Sequence, residues 1–223
     1  MARRLSQIVH QALTEDPLIT GVTADSRKVG PGVLFAALPG TKIDGASFIP
    51  AAITAGAAAI LAPSSLQGLP VPIVASGDIR RAYALAASAF WGDQPAVCVA
   101  VTGTNGKTSV ATFCRQIFQR LGYRSASMGT LGVTISDPGT GDQQITPPGL
   151  TTPDAADVAE LMAKVAAMGV THMALEASSH GIDQRRLDGV QLKAAGFLNL
   201  TQDHLDYHGD ICLLYTSPSP RDS

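Results

Sequence analysis

Cysteine is scarce in this sequence. Cys98, Cys114 and Cys212 stand far apart in 223 residues. No two of them have metal-binding spacing, and three isolated thiols build no disulfide framework, which predicts a reducing, cytoplasmic setting. Charge of one sign is also lacking: 16 Lys and Arg are scattered among 18 Asp and Glu, for a net charge of −2. That balance excludes the basic stripe that duplex binding requires, so no nucleic-acid partner is expected. Long apolar runs are missing too. Stretches such as "AGAAAILAP" (55–63) fall far short of the ~18 residues a spanning helix needs, which predicts no membrane insertion. The opening "MARRLSQIVHQALTEDP" carries arginines but no apolar h-region, and so does not read as a signal peptide. What is present is ordinary globular material, 45% apolar and 15% charged, enough chain for one or two cored domains.

Strand-like and helix-like runs alternate. Residues 3–13 have helical spacing; strand runs follow at 19–23 and 33–38, a helix at 48–56, strands at 58–62 and 71–75, and a helix at 78–90. "WGDQP" (91–95) punctuates the chain and predicts a boundary between a domain at 1–92 and another at 93–210. "AVCVAV" (96–101) is a continuous apolar run, as a parallel strand buried on both faces should be. A loop at 102–106 then leads into a helix over 107–121, closed by Gly122. In "LTTPDAADVAELMAKVAAMG" (150–169), Thr152 is a natural N-cap, Pro153 suits the first helical position, and Val158, Leu161, Met162 and Val165 form one apolar stripe. "THMALEA" (171–177) and "AAGFLNL" (194–200) read as further buried strands. The pattern predicts an α/β fold: a small N-terminal α/β domain, then a doubly wound parallel-sheet domain with ligands at the carboxyl ends of its strands. There is no internal repeat. "ICLLYTSPSPRDS" (211–223) breaks the alternation and reads as a non-native tail.

The stretch "VTGTNGKTSVATF" (101–113) carries the chemistry. A full phosphate-loop pattern, G-x-x-x-x-G-K-[ST], would place a glycine where Val101 stands; only Gly103 and Gly106 are present, giving G-x-x-G-K-T. Strand, glycine turn and helix nevertheless follow in register, so backbone N–H groups and a helix N-terminus face an anion. Lys107 can reach the β- and γ-phosphates, and the Thr108 hydroxyl can ligate Mg²⁺. The bland alternative is a glycine turn with a solvated lysine. Glu176 ends an apolar strand, where a carboxylate is costly unless a cation balances it.

"TGTNGKTS" (102–109) resembles the ATP loop of the Mur ligases, which share the shortened form. "LEASSHGIDQRRLDG" (175–189), "NLTQDHLDYHGD" (199–210) and "TADSRKVGPGVLFAALPG" (23–40) resemble the member of that family that adds the third residue to UDP-N-acetylmuramoyl-dipeptide. The resemblance implies an ATP- and Mg²⁺-dependent ligase that joins a diamino acid (meso-diaminopimelate or L-lysine) to that dipeptide through an acyl phosphate, in peptidoglycan precursor synthesis. It also implies a protein that is a monomer when whole. ATP contacts would come from Gly103, Thr104, Asn105, Gly106, Lys107, Thr108 and Ser109. Mg²⁺ would be held by Thr108 and Glu176, a second metal by His204, and catalysis would rest on Lys107, Glu176 and His204. Thr151, Thr152, Ser178, Gln184 and Arg186 match the family's sugar-peptide positions, with Arg185 an alternative to Arg186; Ala24, Ser26 and Arg27 match its uridine-diphosphate segment, although Asp25-Ser26 also suits a plain turn. Where family members often carry His-Gln-Ala, "TKI" (41–43) stands here. His180 and His208 read as structural, and His10 and His172 have no functional case. The resemblance further implies that the central domain is cut within this chain, which alone is then expected to be inactive. Three readings compete with it: another Mur ligase or a folylpolyglutamate synthetase relative, a nucleotide or UDP-sugar-binding fragment without ligation chemistry, and a P-loop GTPase.

Overall fold

The computed structural model describes residues 1–200, apart from His10, Ala12, Thr14, residues 41–43 and Pro148. His204, His208, Cys212 and the tail at 211–223 lie outside the described residues, as do His10 and the "TKI" segment. The chain divides between Gly92 and Asp93 into two units.

In the first unit, β1 (Arg3–Arg4) pairs antiparallel with β2 (Leu18–Ile19). The helix expected over 3–13 is not formed; a 3₁₀ turn at Leu5–Gln7 takes its place. Its competitors are visible. The Leu5 N–H bonds to the Pro17 carbonyl at 3.0 Å, while the Asp16 carboxylate accepts from the Ser6 N–H and hydroxyl at 2.8 Å each. The helix-like apolar spacing still serves burial, since Leu5, Ile8 and Val9 are all buried.

The rest of this unit is a four-stranded parallel sheet in the order β3 (Gly21–Thr23), β4 (Val33–Ala36), β5 (Ala59–Pro63), β6 (Ile73–Ser76). Helix α1 (Ile49–Thr54) places Ile49 and Ala52 against Phe35, Ile60 and Ala62. Helix α2 (Ile79–Trp91) lies against β3, β5 and β6 and buries Tyr83, Ala84, Ala87 and Phe90. Asp78 caps α2 through the Arg81 N–H.

The second unit is a six-stranded sheet. Its elements are β7 (Val97–Thr102), α3 (Lys107–Arg120), β8 (Ser125–Gly129), β9 (Gly132–Asp137), β10 (Gly141–Thr146), α4 (Ala155–Ala167), β11 (His172–Glu176), α5 (Ser179–Asp183) and β12 (Leu192–Phe197). The strand order is β10-β9-β8-β11-β7-β12. β8, β11, β7 and β12 run parallel, and β9 and β10 add an antiparallel hairpin at one edge. The doubly wound parallel sheet is therefore present, with a mixed edge. β11 sits between β7 and β8, and its register sets Glu176 beside Val101 and Leu175 beside Met128. The carboxyl ends of three parallel strands thus meet at one rim, where such sheets bind ligands. A core of Cys98, Ala100, Met128, Ile135, Val158, Met162, Val165, Met173 and Leu175 lies beneath it.

Two expectations change here. β12 begins at Leu192, earlier than expected, and is exposed from Lys193 to Phe197; among the described residues it pairs with β7 only and forms the other edge. The N-cap of α4 is Asp154, whose carboxylate accepts from the Ala156 N–H at 3.0 Å. Thr152 is committed elsewhere, as described next.

Candidate functional site

The loop after β7 turns on two glycines. Gly106, with φ 86°, is the N-cap of α3, and Lys107 is the first helical residue. The leading N–H groups of a helix have no carbonyl one turn behind them, so this end presents donors to an anion. The Lys107 ammonium folds back over the loop, donating to the carbonyls of Gly103 at 2.6 Å and Thr104 at 3.0 Å. Ser109 lies exposed on the first turn of α3.

Glu176 ends β11 in the rim beside this loop, 3% exposed. A buried carboxylate needs donors, and it has three. The Thr108 hydroxyl donates to Oε2 at 2.9 Å, the Thr130 N–H to Oε1 at 3.1 Å, and the Thr130 hydroxyl to Oε2 at 3.3 Å. The carboxylate also fills the space above Gly129: a Cβ there would lie 1.9 Å from Oε1 and 2.2 Å from Cδ. Among the described residues no group of three or more His, Cys, Asp or Glu could hold a metal ion. One carboxylate beside one hydroxyl is a hard-oxygen pair, fitting a cation that completes its shell with water and phosphate oxygens, as Mg²⁺ does.

The positions matched to the sugar-peptide gather on the same rim. Thr151 shares a 2.9 Å hydroxyl contact with Thr130, one step from Glu176. Thr152, 1% exposed, donates to the Glu176 carbonyl at 3.0 Å and accepts from the Ser178 N–H at 3.0 Å and hydroxyl at 3.1 Å. That long-range role removes it from capping α4. Ser178 in turn caps α5 by accepting from the Gly181 N–H. Arg186 donates to the Thr152 carbonyl at 2.6 Å and to Gln184 Oε1 at 2.7 Å. Of the two arginines, Arg186 joins this network, while Arg185 lies 3.7 Å from Asp188.

Arg185 ends α5 at the position glycine usually takes. Its N–H bonds to the Ile182 carbonyl and that of Arg186 to Gly181, each at 2.9 Å, which is the paired bonding of a Schellman close. Its φ of 58° makes it the only non-glycine residue with positive φ among the described residues. Left-handed backbone costs an L-residue about 1–2 kcal/mol. Arg185→Gly is therefore expected to stabilise the protein by about 1 kcal/mol, read as a higher urea midpoint at unchanged slope. A lower midpoint would show that the Asp188 contact outweighs the strain.

In the first unit, Ala24, Ser26 and Arg27 follow β3. The Ala24 N–H donates to the buried Tyr83 hydroxyl at 3.2 Å. Ser26–Lys28 form a 3₁₀ turn capped by Asp25. The Arg27 guanidinium, its side chain 87% exposed, makes a fork to Asp25 at 2.9 and 2.8 Å. Those bonds, with the Arg27 N–H, hold the Asp25 carboxyl down to about 2. The plain-turn reading is thus realised, and the guanidinium's outer face stays open to an anion.

Three residues of the rim escaped the sequence reading. Gly129 and Thr130 sit in a segment to which it assigned no element, and Asn199 lay inside a quoted motif without a role. Asn199 accepts from the Thr104 and Asn105 N–H groups through its carbonyl and side-chain oxygens, and donates to the Asn105 carbonyl, at 2.9–3.0 Å. Only a glycine at the carboxyl end of a strand could have hinted at Gly129; nothing local marks the other two.

Family and structural comparisons agree with this architecture. The sequence profile of the Mur ligase middle domain matches residues 101–215, and that described as the Mur ligase family catalytic domain matches residues 18–89. The chain is 70% identical over 212 residues to the UDP-N-acetylmuramoyl-L-alanyl-D-glutamate–2,6-diaminopimelate ligase of Caulobacter vibrioides, covering 95% of this chain and 44% of that protein. The same-named ligase of Bradyrhizobium diazoefficiens is 53% identical over 190 residues, covering 85% and 38% respectively. The chain spans less than half the length of these relatives. Among solved structures, one ligase of that name superposes with a TM-score of 0.81 at 29% identity, covering 97% of this chain and 44% of that one. A MurF from Acinetobacter baumannii, 18% identical with a TM-score of 0.63, covers 97% of this chain and 45% of its own and shares the fold. With its shortened phosphate loop, its rim of Thr108, Glu176 and Thr152, and a middle-domain match running from residue 101, this chain belongs to the Mur ligase family.

Proposed function

We propose that this chain carries the nucleotide and phosphate machinery of an ATP-dependent ligase that joins 2,6-diaminopimelate to UDP-N-acetylmuramoyl-L-alanyl-D-glutamate. The observation that carries the reading is the buried Glu176 carboxylate, 2.9 Å from the Thr108 hydroxyl of the phosphate loop and one hydroxyl away from Thr151. A phosphate site and a substrate-side hydroxyl thus share one carboxylate. The amino acid is that of the ligases 70% and 53% identical to this chain.

In the proposed reaction an oxygen of the glutamyl carboxylate attacks the γ-phosphorus of ATP, the bond to the β-bridging oxygen breaks, and ADP leaves. The amine nitrogen then attacks the acyl carbon, phosphate departs with the C–O electron pair, and the amine loses a proton. The first step brings two anions together and the second expels a phosphate anion, so cationic screening and positioning are the main demands. Lys107 swings from its two carbonyl partners to the phosphates. The first N–H groups of α3 hold the phosphate oxygens. Thr108 and Glu176 would hold Mg²⁺, which supplies screening charge when bound. Thr151, Thr152, Ser178, Gln184 and Arg186 orient the acceptor, with Arg186 anchored on the Thr152 carbonyl. The first unit, through Ala24, Ser26 and Arg27, takes the uridine diphosphate. His204 stays a proposed second metal ligand.

A segment exchange tests this. The Caulobacter ligase, with its matching region replaced by this chain's residues, should form tripeptide from UDP-N-acetylmuramoyl-dipeptide, ATP and diaminopimelate, seen by mass spectrometry. A soluble chimera that makes none, beside an active parent, would refute the reading.

A further inference from the structure

The missing glycine at position 101 has a structural counterpart. A longer phosphate loop wraps its anion with several consecutive N–H groups. Here the front of the loop is bonded to protein. The ladder between β7 and β12 runs on by one bond, from the Leu198 N–H to the Thr102 carbonyl at 2.9 Å. Asn199 then takes over. Its carbonyl accepts from the Thr104 N–H at 3.0 Å, its Oδ1 from the Asn105 N–H at 2.9 Å, and its Nδ2 donates to the Asn105 carbonyl at 3.0 Å. Only one orientation of the amide satisfies both partners, so the pairing fixes which end faces which. The approach is close enough to dictate Gly103: its φ is 140°, and a Cβ there would lie 3.0 Å from both the backbone nitrogen and the carbonyl oxygen of Asn199.

We infer that Asn199 is a positioning residue for the phosphate loop, holding its front half so that the anion is met by the α3 end alone. The Thr104 and Asn105 N–H groups face Asn199, which leaves the donors from Gly106 onward and the Lys107 ammonium for phosphate. The carbonyls of Gly103 and Thr104, which seat that ammonium, are fixed by the same clamp. The inference rests on the reading of this loop as a nucleotide site.

The test uses the 223-residue chain. ATP affinity in Mg²⁺ and UDP-N-acetylmuramoyl-dipeptide affinity are measured by calorimetry, and amide exchange at Thr104 and Asn105 by NMR. Asn199→Ala removes both side-chain bonds. Asn199→Asp keeps the shape and the acceptor but loses the donor, and sets a negative charge beside the loop. Each should weaken ATP binding by on the order of tenfold or more, Asn199→Asp the more, and speed Asn105 exchange in the alanine variant. UDP-substrate affinity should hold. Equal loss of both affinities, or unchanged ATP affinity despite faster exchange, overturns the inference while leaving the nucleotide reading in place. A parent chain with no ATP affinity overturns that reading, and this inference with it. Should the alanine variant fail to fold, the near-isosteric Asn199→Asp decides alone.

Discussion

Lys107→Ala is expected to lower kcat/KM for ligation in the segment-exchanged enzyme by at least on the order of 10²-fold, about 2.7 kcal/mol of transition-state stabilisation. The reasoning is electrostatic. A carboxylate and a triphosphate must meet, and negative charge migrates toward the leaving ADP as they react. The residues facing that charge are few on the rim: the α3 N-terminus, the Thr108 hydroxyl and the Lys107 ammonium. Before nucleotide arrives, the ammonium is parked on neutral carbonyls 2.6 and 3.0 Å away. Phosphate oxygens are stronger acceptors, so ATP should draw it off without reshaping the loop. Dipeptide binding should stay nearly unchanged, because Thr152, Ser178 and Arg186 are held to one another and to the Glu176 carbonyl, away from Lys107. Product formation by mass spectrometry and calorimetric affinity for the UDP-substrate make the comparison. Turnover comparable to the parent would show that this ammonium is not at the γ-phosphate.

Much of this rim could be read in the sequence because its parts are local. "AVCVAV" is a strand buried on both faces, so its apolar run is continuous, and Gly106, Lys107 and Thr108 follow it within one turn. Glu176 was marked by the same logic, a carboxylate ending an apolar run. The hairpin β9–β10 was not marked, since β10 is an exposed edge whose "GDQQIT" shows no buried face. It is held instead by the buried Arg115, which reaches from α3 to Ser136 and to Asp142, the latter at 2.7 Å. No local pattern announces such a bond. The N-terminal segment fails the other way. Its apolar spacing is helical, and its burial obeys that spacing, but pairing of β1 with β2 and the bonds of Leu5 and Ser6 to Pro17 and Asp16 hold the backbone in another conformation. Thr152 had the sequence context of a cap and lost that role to a partner 24 residues away. Asn199 acts across 94 residues. Periodicity reports burial and local bonding; who occupies a side-chain oxygen at long range is decided by the sheet order, which places β11 between β7 and β8.

Gly129→Ala is expected to be the other damaging single change, and for a reason of space alone. Gly129 lies within β8 and outside the left-handed region, so an alanine there meets no backbone strain. Its methyl carbon, however, would stand 1.9 Å from Glu176 Oε1 and 2.5 Å from Cγ, well inside any contact distance. The carboxylate cannot yield slightly. It is pinned by Thr108 and by both donors of Thr130, and Thr152 holds the carbonyl of the same residue. It must therefore leave its seat, orphaning three donors and taking the carboxylate away from the Thr108 hydroxyl of the loop. Ligation should fall by at least on the order of 10²-fold, as when a charge-stabilising group is lost, and overpacking should cost about 1–3 kcal/mol of stability. A thermodynamic cycle isolates the cause. With Glu176→Ala already in place the new methyl has room, so Gly129→Ala should then cost little further, and the two changes should couple by about 1–3 kcal/mol. Denaturation of the four proteins and turnover of the segment-exchanged enzyme supply the readings. Additive stabilities, or an alanine variant with parental turnover, would show that Glu176 does not hold its place against β8 during the reaction.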